Sequence, residues 1–227
     1  MSLQSTACTA LEMGKAWVAP LQETLGLVKE SEGMDAFNAA LAAKKGVILL
    51  APHLSNWEVF GFYTTNKAKA VFMYQPPKLA ALDRLLKQIR ARGGAKLAPT
   101  NRQGVAQLLK ALQRGELVGI LPDQVPTDGG GEFATFFNQP ALTMTLVGKL
   151  LSRYKVPVFC GFAERLPRGG GFRVVMMEAD AKIYSENLAE SVQGLNNSVE
   201  KCVLRALPQY QWEYKRFRKQ PDGSKFY

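Results

Sequence analysis

The sequence contains very little histidine and cysteine: one histidine, His53, and three cysteines, Cys8, Cys160 and Cys202. These few residues do not have the spacing of a zinc site, so a metal would require a site made of carboxylates alone. An odd number of scattered cysteines also argues against a disulfide framework, and we expect the thiols to act as small buried hydrophobic side chains. We therefore predict no metal and no other cofactor.

Long hydrophobic runs and several common catalytic motifs are absent too. No stretch approaches the roughly 18 consecutive apolar residues of a membrane-spanning helix, and no signal peptide is present. The sequence has no Gly-x-Ser-x-Gly motif, no Gly-x-Gly-x-x-Gly after its first apolar strand and no Walker loop. These absences exclude the sequence signatures of serine hydrolases, dinucleotide-binding domains and P-loop nucleotidases, and they predict a soluble or peripheral protein.

Positive charge is abundant and is concentrated in two blocks. The formal net charge is +10, with nine Lys and Arg against one Asp in residues 76–114 and seven against two acids in residues 201–227. Residues 115–200 are net acidic. Such blocks suit an anionic partner, which could be a phospholipid surface, a phosphorylated glycolipid, an acidic carrier protein or nucleic acid. The alternative is that these cations are ordinary solvent-exposed residues on the outer faces of helices and bind no particular partner.

Helical and strand-like patterns alternate along the chain. With 227 residues, 47% of them hydrophobic, the chain can bury one sizeable core, and no linker or repeat divides it. The helical patterns cover residues 4–29, 35–44, 78–92, 102–114, 141–154 and 185–207, with a further helix from residue 55 or 56. The strand-like patterns cover residues 47–50, 70–73, 96–97, 117–121, 156–163 and 172–178. We predict a single α/β domain over residues 1–227, with a mostly parallel central sheet and helices on both faces.

The most informative segment leads an apolar strand into the turn that carries His53. Residues 47–50 are β-branched and aliphatic, bounded by glycine and proline, as in a strand buried on both faces of a parallel sheet. The carboxyl end of such a strand is where open α/β sheets bind ligands. Ser55 and Glu58 fit a capping box, which would place Glu58 in the first helical turn, close to the imidazole. Either Glu58 orients a catalytic His53, or Glu58 only caps the helix and His53 is an ordinary turn residue.

Several segments, taken in their order along the chain, resemble a known family. They are His53-x4-Glu58 after an apolar strand, Arg90 and Arg92 in Arg-x-Arg-x-Gly, Leu121-Pro-Asp-Gln124, Phe136-Phe137, and Gln209-Tyr-x-Trp-x-x-Lys-Arg-Phe217 followed by Pro221. This set resembles the late acyltransferases of lipid A biosynthesis, the lauroyl and myristoyl acyltransferases, within the glycerophosphate and lysophospholipid acyltransferase superfamily. The similarity covers residues 11–223, and the ordered set is far more specific than His-x4-Glu alone.

The resemblance implies an enzyme at the cytoplasmic face of the bacterial inner membrane. Members of this family move a fatty acyl group from acyl carrier protein to the 3-hydroxyl of a primary acyl chain on a lipid A precursor. They usually begin with a hydrophobic anchor helix, whereas this sequence starts just before residues 11–17, inside a helix of the family. We therefore expect an anchorless, peripheral form. Its expected partners are acyl carrier protein, a lipid A precursor glycolipid and an anionic membrane surface, and not nucleic acid.

The chemistry of acyl transfer predicts roles for the matching residues. His53 would take the proton of the acceptor hydroxyl, and a general base of this kind raises the reaction rate by about 10²–10⁴-fold. Glu58 would hold the tautomer of His53, as the acid does in a Ser-His-Asp triad. Arg90, with Arg92 as second choice, would stabilise the oxyanion on the thioester carbonyl. Asp123 ends a strand on the same edge of a parallel sheet as His53, so it would line the site and orient an arginine or the acceptor.

Aromatic and basic residues are candidates for substrate contacts. Phe136 and Phe137 could line the groove for the acyl chain, although aromatic clusters are more often ordinary core. Lys215, Arg216 and Arg218 alternate with aromatic residues, a composition that suits a phosphate or headgroup boundary but also single-stranded nucleic acid. The resemblance favours the phosphorylated glycolipid.

Two other functions stay open at this point. A lysophospholipid acyltransferase that uses acyl-CoA shares the His-x4-acid chemistry. A basic lipid-binding or nucleic-acid-binding module would not need His53 at all.

Overall fold

Helices and strands alternate along the whole chain. The computed structural model describes residues 2–127 and 129–227, and within those residues it has eight α-helices and nine β-strands. The helices are α1 (Ser2–Val18), α2 (Leu21–Gly26), α3 (Met34–Ala42), α4 (Trp57–Thr65), α5 (Ala80–Arg92), α6 (Arg102–Gln113), α7 (Leu146–Leu151) and α8 (Leu188–Arg205). The strands are β1 (Val28–Glu32), β2 (Val47–Leu50), β3 (Ala70–Tyr74), β4 (Ala95–Pro99), β5 (Leu117–Ile120), β6 (Gly131–Phe136), β7 (Gln139–Met144), β8 (Val158–Arg165) and β9 (Phe172–Glu178).

Seven of the strands form one mixed sheet in the order β1-β9-β8-β2-β5-β3-β4. The five strands from β8 to β4 run parallel to one another, whereas β9 is antiparallel to β8, and β1 runs parallel to β9. The predicted fold class, α/β with a mostly parallel central sheet flanked by helices, is therefore confirmed. The other two strands, β6 and β7, pair as a separate antiparallel hairpin.

The sheet separates two hydrophobic cores, because successive side chains of a strand point to opposite faces. On β2, Ile48 and Leu50 belong to one core, which also contains side chains of α6, α7 and α8. Val47 and Leu49 belong to the other, together with side chains of α1, α3, α4 and α5. All four β2 residues are buried, as the apolar run of residues 47–50 predicts for a strand covered on both faces.

The first helical pattern, residues 4–29, is wrong as a single helix. It is divided into α1 and α2 at Pro20, which lacks the N–H and the free φ that a helix interior needs and precedes α2 as its N-cap residue. The same segment then ends in β1, an edge strand whose residues are mostly exposed. The sequence Val-Lys-Glu-Ser-Glu of β1 has no apolar alternation to indicate a strand. It is held at the sheet edge by ion pairs such as that of Glu30 with Arg173.

The helical pattern over residues 141–154 is also partly wrong. Its first residues form β7, and only Leu146–Leu151 is helical. The hairpin of β6 and β7 turns at Phe137 and Asn138, both with positive φ, as a tight two-residue hairpin turn requires. Phenylalanine is an unusual residue for such a turn, so no local pattern indicates the hairpin.

The three cysteines divide into two environments. Cys160 on β8 and Cys202 on α8 are buried, as predicted, whereas Cys8 on α1 is exposed and contradicts the expectation. None of the helices in residues 2–127 and 129–227 has the length and apolar character needed to cross a membrane. The same residues contain no group of three or more His, Cys, Asp or Glu side chains suited to holding a metal.

Candidate active site

His53 and Asp123 are brought together by two neighbouring parallel strands. β2 pairs with β5, and Leu50 lies opposite Ile120 at the ends of the two strands. Each functional residue follows its strand by three positions, so the two side chains emerge side by side at the carboxyl edge of the sheet. The expectation that Asp123 shares this edge with His53 is confirmed, but its predicted role is corrected: Asp123 does not line the main cavity, and it holds His53 and not an arginine or the acceptor.

Asp123 holds both the backbone and the ring of His53. Its Oδ2 accepts from the His53 backbone N–H at 2.8 Å, and its Oδ1 lies 2.8 Å from Nδ1 of the imidazole. The carboxylate side chain is only 3% exposed and that of the histidine 12%. Burial alone would raise the pKa of Asp123, but the charge interaction and hydrogen bonds with His53 outweigh it and leave that pKa below its ordinary value. Asp123 therefore stays ionised and can accept a hydrogen from Nδ1.

The other ring nitrogen of His53 faces the open side of the site. His53 lines the main cavity, and the side-chain amide of Gln124 lies 3.3 Å from Nε2. With Nδ1 donating to Asp123, Nε2 carries the free lone pair, and an amide N–H of Gln124 can donate to it. Trp57 packs edge-on against the imidazole, with ring centroids 4.9 Å apart, and limits rotation of the ring. The imidazole is thus presented as a proton acceptor at Nε2.

Glu58 does not hold the imidazole, which corrects the role predicted from the capping box. Ser55 has a φ of 54°, a left-handed conformation outside the extended region of N-cap residues, so Asn56 caps α4 instead, through a 3.1 Å bond from the Val59 N–H. Glu58, 5% exposed, turns to Arg90 of α5, whose Nη2 and Nε lie 2.5 and 3.3 Å from its two oxygens. Both carboxylate oxygens are occupied by the guanidinium, and Asp123 has the orienting position that we assigned to Glu58.

The turn that carries His53 is fixed by the C-terminal segment of the chain. The carbonyl of His53 accepts from the Gln211 N–H at 3.1 Å, and the Ser55 N–H donates to the Gln209 carbonyl at 2.8 Å. Leu54 and Tyr210 form an isolated antiparallel bridge between these two bonds. These backbone contacts hold the turn in place and allow Ser55 to keep its left-handed conformation.

A cavity of about 1540 Å³ opens beside His53, Glu58 and Arg90. It reaches both faces of the sheet, because its lining includes Phe62 and Phe72 from one core and Leu109 and Leu146 from the other. Its volume exceeds the ~300–1,000 Å³ of typical small-molecule sites, so it has room for long or branched ligands. His53 thus lies in the lining of a cavity that has apolar side chains from both faces of the sheet.

The sequence matches the family described as "Bacterial lipid A biosynthesis acyltransferase" over residues 1–219. The chain belongs to this family. It is 24% identical over 223 residues to "Lipid A biosynthesis lauroyltransferase" of Escherichia coli, a match that covers 98% of this chain and 72% of that protein. It is 26% identical over 224 residues to "Lipid A biosynthesis palmitoleoyltransferase" of the same organism, with the same two coverages of 98% and 72%. A "Lipid A biosynthesis acyltransferase" of Haemophilus influenzae is 27% identical over 207 residues, 88% of this chain and 63% of that protein. The family predicted from the ordered motifs is confirmed, and the protein is an acyltransferase of lipid A biosynthesis.

Arg92 of this acyltransferase lies outside the cavity, which corrects its prediction as the second choice for contact with the substrate oxyanion. Its guanidinium donates to the carbonyls of Ala16, Trp17 and Ala19 at 3.3, 2.6 and 3.2 Å. These carbonyls lie at the carboxyl end of α1, where a helix leaves its last acceptors without internal partners. Arg92 therefore caps α1 and ties it to α5.

Phe136 and Phe137 also lie outside the cavity lining of the acyltransferase. Phe136 is 1% exposed and packs in the core, where its ring meets Phe137, Tyr210 and Phe217. Phe137 forms the hairpin turn and contacts Trp212 with ring centroids 5.4 Å apart. The predicted contact with an acyl chain is corrected for both residues: they join the hairpin to the C-terminal segment.

The three C-terminal cations have three different environments. Arg216 is only 4% exposed, and it donates to the Leu142 carbonyl at 2.5 Å and to Thr143 Oγ1 at 2.7 Å, so it cannot meet a substrate phosphate. Burial lowers the pKa of its guanidinium. Lys215 is exposed but outside the cavity lining, with its ammonium 5.6 Å from the centre of the Tyr227 ring. Arg218 alone of the three lines the cavity.

Sequence reasoning missed three residues at this site. Gln124 lies in the Leu121-Pro-Asp-Gln124 segment, and its position next to Asp123 brings its amide to the imidazole. Trp57 packs against the imidazole, but the capping-box pattern assigns it no role. The place of Phe72 in the cavity depends on the lateral order of β3, β4 and β5, which has no local signature.

Proposed function

We propose that this acyltransferase moves a fatty acyl group from acyl carrier protein to a hydroxyl of a lipid A precursor, with His53 as general base. The observation that supports the proposal most is the position of the His53 imidazole. Its Nδ1 lies 2.8 Å from the buried carboxylate of Asp123, and its Nε2 faces a large cavity lined mostly by apolar side chains. The family membership gives the reaction class, and the relatives' names specify lauroyl and palmitoleoyl groups, which are fatty acyl chains. We expect the reaction to take place at the cytoplasmic face of the inner membrane.

The reaction begins when the acceptor hydroxyl displaces the Gln124 amide from Nε2 of His53. Nε2 takes the hydroxyl proton while the oxygen attacks the thioester carbonyl carbon, and the carbonyl becomes a tetrahedral oxyanion. Asp123 stabilises the imidazolium formed in this step. The oxyanion then collapses, the C–S bond breaks, and the departing thiolate takes the proton from Nε2. The ester is formed without a covalent acyl-enzyme.

In this proposal Arg90 stabilises the oxyanion. Glu58 occupies Nε and Nη2 of its guanidinium, which leaves Nη1 without a hydrogen-bond acceptor among the described residues. Arg90 lines the cavity and its side chain is 24% exposed, so it can reach a bound ligand. A fixed charge stabilises developing negative charge strongly because it needs no reorientation during the reaction. In this scheme Glu58 is a positioning residue for Arg90.

The acyl chain of the donor fits the side of the cavity between α4 and α5. Phe62 of α4, Leu86 of α5 and Phe72 and Leu97 of the sheet line that side. Phe72 and Leu97 lie opposite each other on β3 and β4, so they form one continuous apolar surface. The Glu58–Arg90 pair stands at the end of this surface near His53. A thioester carbonyl at Arg90 would direct its hydrocarbon chain along these side chains.

Transfer of a radiolabelled acyl group to a tetraacylated lipid A precursor in mixed micelles tests the proposal. The donor is supplied either on acyl carrier protein or as acyl-CoA, and the intact chain is compared with His53→Ala. We expect transfer from the carrier protein, and its loss by about 10²-fold or more in a folded His53→Ala variant. Efficient transfer from acyl-CoA to lysophospholipids would favour the alternative acyltransferase. Absence of transfer from either donor, together with tight binding to anionic vesicles, would favour a binding module.

A further inference from the structure

The side of the cavity between α6 and α7 has no part in the mechanism above. Its apolar surface comes from Val105 and Leu109 on α6 and from Leu146 and Leu150 on α7. In each pair the residues are four positions apart, so they lie on one face of their helix and turn it towards the cavity. Leu109 and Leu146 pack against the core on the opposite face of the sheet from the surface assigned to the donor chain. A second hydrocarbon surface thus extends from the same base.

Three cations border this second surface. Arg102 is the first residue of α6, Lys149 lies in α7, and Arg153 follows α7; all three are exposed and line the cavity. Their side chains form no hydrogen bond or ion pair within the described part of the chain. Among the described residues that line the cavity, Glu58 is the only acid, and Arg90 neutralises it. Within the described part of the chain, the second surface therefore has a positive border that no unpaired acid of the cavity lining balances.

An apolar surface with such a border fits a ligand that carries hydrocarbon and negative charge together. Cations that share a border without acids repel one another, and an anion bound between them removes that repulsion. A phosphate group offers three oxygens to Arg and Lys donors. The amino end of α6, where Arg102 lies, adds a small positive partial charge. A neutral or purely aliphatic ligand would gain nothing from these charges.

We infer that the surface between α6 and α7 binds the phosphorylated, acylated sugar of the acceptor, with Arg102, Lys149 and Arg153 in contact with its phosphate. The inference rests on the proposed function and assigns a separate side of the cavity to each substrate. The donor chain lies between α4 and α5, the acceptor between α6 and α7, and His53 stands where they meet. The phosphodiester of a carrier-protein prosthetic group has similar chemistry, but it lacks the hydrocarbon that the apolar surface of α6 and α7 would cover.

The test removes the three charges together. The variant Arg102→Gln/Lys149→Gln/Arg153→Gln is compared with Lys110→Gln/Lys155→Gln/Lys182→Gln, which removes three exposed cations outside the cavity lining. Values of kcat and KM are measured with a bisphosphorylated tetraacyl precursor, with its dephosphorylated form, and with varied acyl carrier protein. Direct binding of both precursors in micelles is measured in parallel, and thermal unfolding checks that the variants fold.

We expect the KM for the phosphorylated acceptor to rise on the order of 30-fold or more in the cavity variant, roughly three- to tenfold for each cation, with little change in kcat. The dephosphorylated acceptor and the control variant should show at most a small change. An unchanged KM in an active enzyme would overturn the inference and leave the proposed function standing. A rise in the KM for acyl carrier protein alone would also overturn it, in favour of the donor phosphodiester. If the unmodified chain transfers no acyl group, the proposed function fails, and the direct binding data decide the inference by themselves.

Discussion

Replacement of Asp123 by asparagine is the sharpest test of how the base is held. In the unmodified protein Oδ2 accepts from the His53 backbone N–H and Oδ1 from the ring Nδ1, both at 2.8 Å. Asparagine offers one carbonyl oxygen and one NH₂ group in place of the two oxygens. The backbone N–H can only donate, so the carbonyl oxygen must face it, and the NH₂ group is left facing Nδ1. The imidazole then keeps its hydrogen bond only if Nδ1 becomes the acceptor and the hydrogen moves to Nε2.

The expected effect of Asp123→Asn follows from that change of tautomer. With a hydrogen on Nε2, His53 cannot take the proton of the acceptor, and we expect kcat to fall by about 10²–10⁴, the usual contribution of a general base. The KM for the acceptor should change little because Asp123 does not line the cavity. Both hydrogen bonds can persist in neutral form, so the loss of stability should be only about 1 kcal/mol.

Stability against pH gives a second measure of the same carboxylate. The pKa of Asp123 is lowered in the folded state, so its ionised form stabilises the protein fully above the ordinary aspartate pKa of about 4, and that contribution is lost as the pH falls through the lower folded value. Asp123→Asn lacks this contribution. The difference in free energy of unfolding between the two proteins should therefore be largest near neutral pH and shrink in acid.

Steady-state transfer from acyl carrier protein and urea unfolding at several pH values measure these effects. Glu116→Gln is the matched control, because Glu116 forms an exposed ion pair with Arg114 at the amino end of β5, away from the base. That control should keep its kcat. If Asp123→Asn kept kcat within a few-fold of the unmodified protein while His53→Ala abolished transfer, the tautomer argument would be refuted.

Three further variants test the cation assignments. Arg90→Gln should lower kcat by roughly 10²–10³-fold, as removal of a hydrogen-bond donor to an oxyanion does. Kinetics at a saturating concentration of the acyl donor would measure this loss. An unchanged kcat would remove Arg90 from the mechanism. Arg216→Gln should lower the free energy of unfolding by roughly 2–4 kcal/mol, because the buried guanidinium of Arg216 donates to Leu142 and Thr143. Arg218→Gln, at a neighbouring residue that lines the cavity, should lower it little. Equal stability of these two variants would contradict the structural role of Arg216.

The sheet, and the edge of it that His53 and Asp123 share, could be predicted because their signals are local. Residues 47–50 and 117–121 are short apolar runs that end in turns, and such runs indicate buried parallel strands. Once the strands are parallel, His53 and Asp123 must share an edge. The charged edge strand β1 could not be found in the same way, since it has few apolar neighbours to require an apolar sequence.

The partner of Glu58 could not be predicted because it lies far away in sequence. Ser-x-x-Glu fits a capping box, and the local pattern carries no sign that Ser55 adopts a left-handed φ and leaves the cap to Asn56. Arg90 is 32 residues from Glu58, on another helix, and only the packing of α5 beside α4 brings it near. The burial of Arg216 could not be predicted for the same reason. A cation among aromatic residues is typical of a surface, and Arg216 is buried only because the hairpin of β6 and β7 packs against it.

The bonds between the His53 turn and residues 209–211 also bear on the order in which the enzyme is made. The ribosome produces all seven strands of the central sheet before it reaches Gln209, so the nascent chain can hold an assembled sheet while the turn still lacks its support. The base would then be held in place only after the central sheet is complete. A chain that stops between Glu178 and Gln209 would carry all the strands of the sheet but lack the contacts that hold the His53 turn.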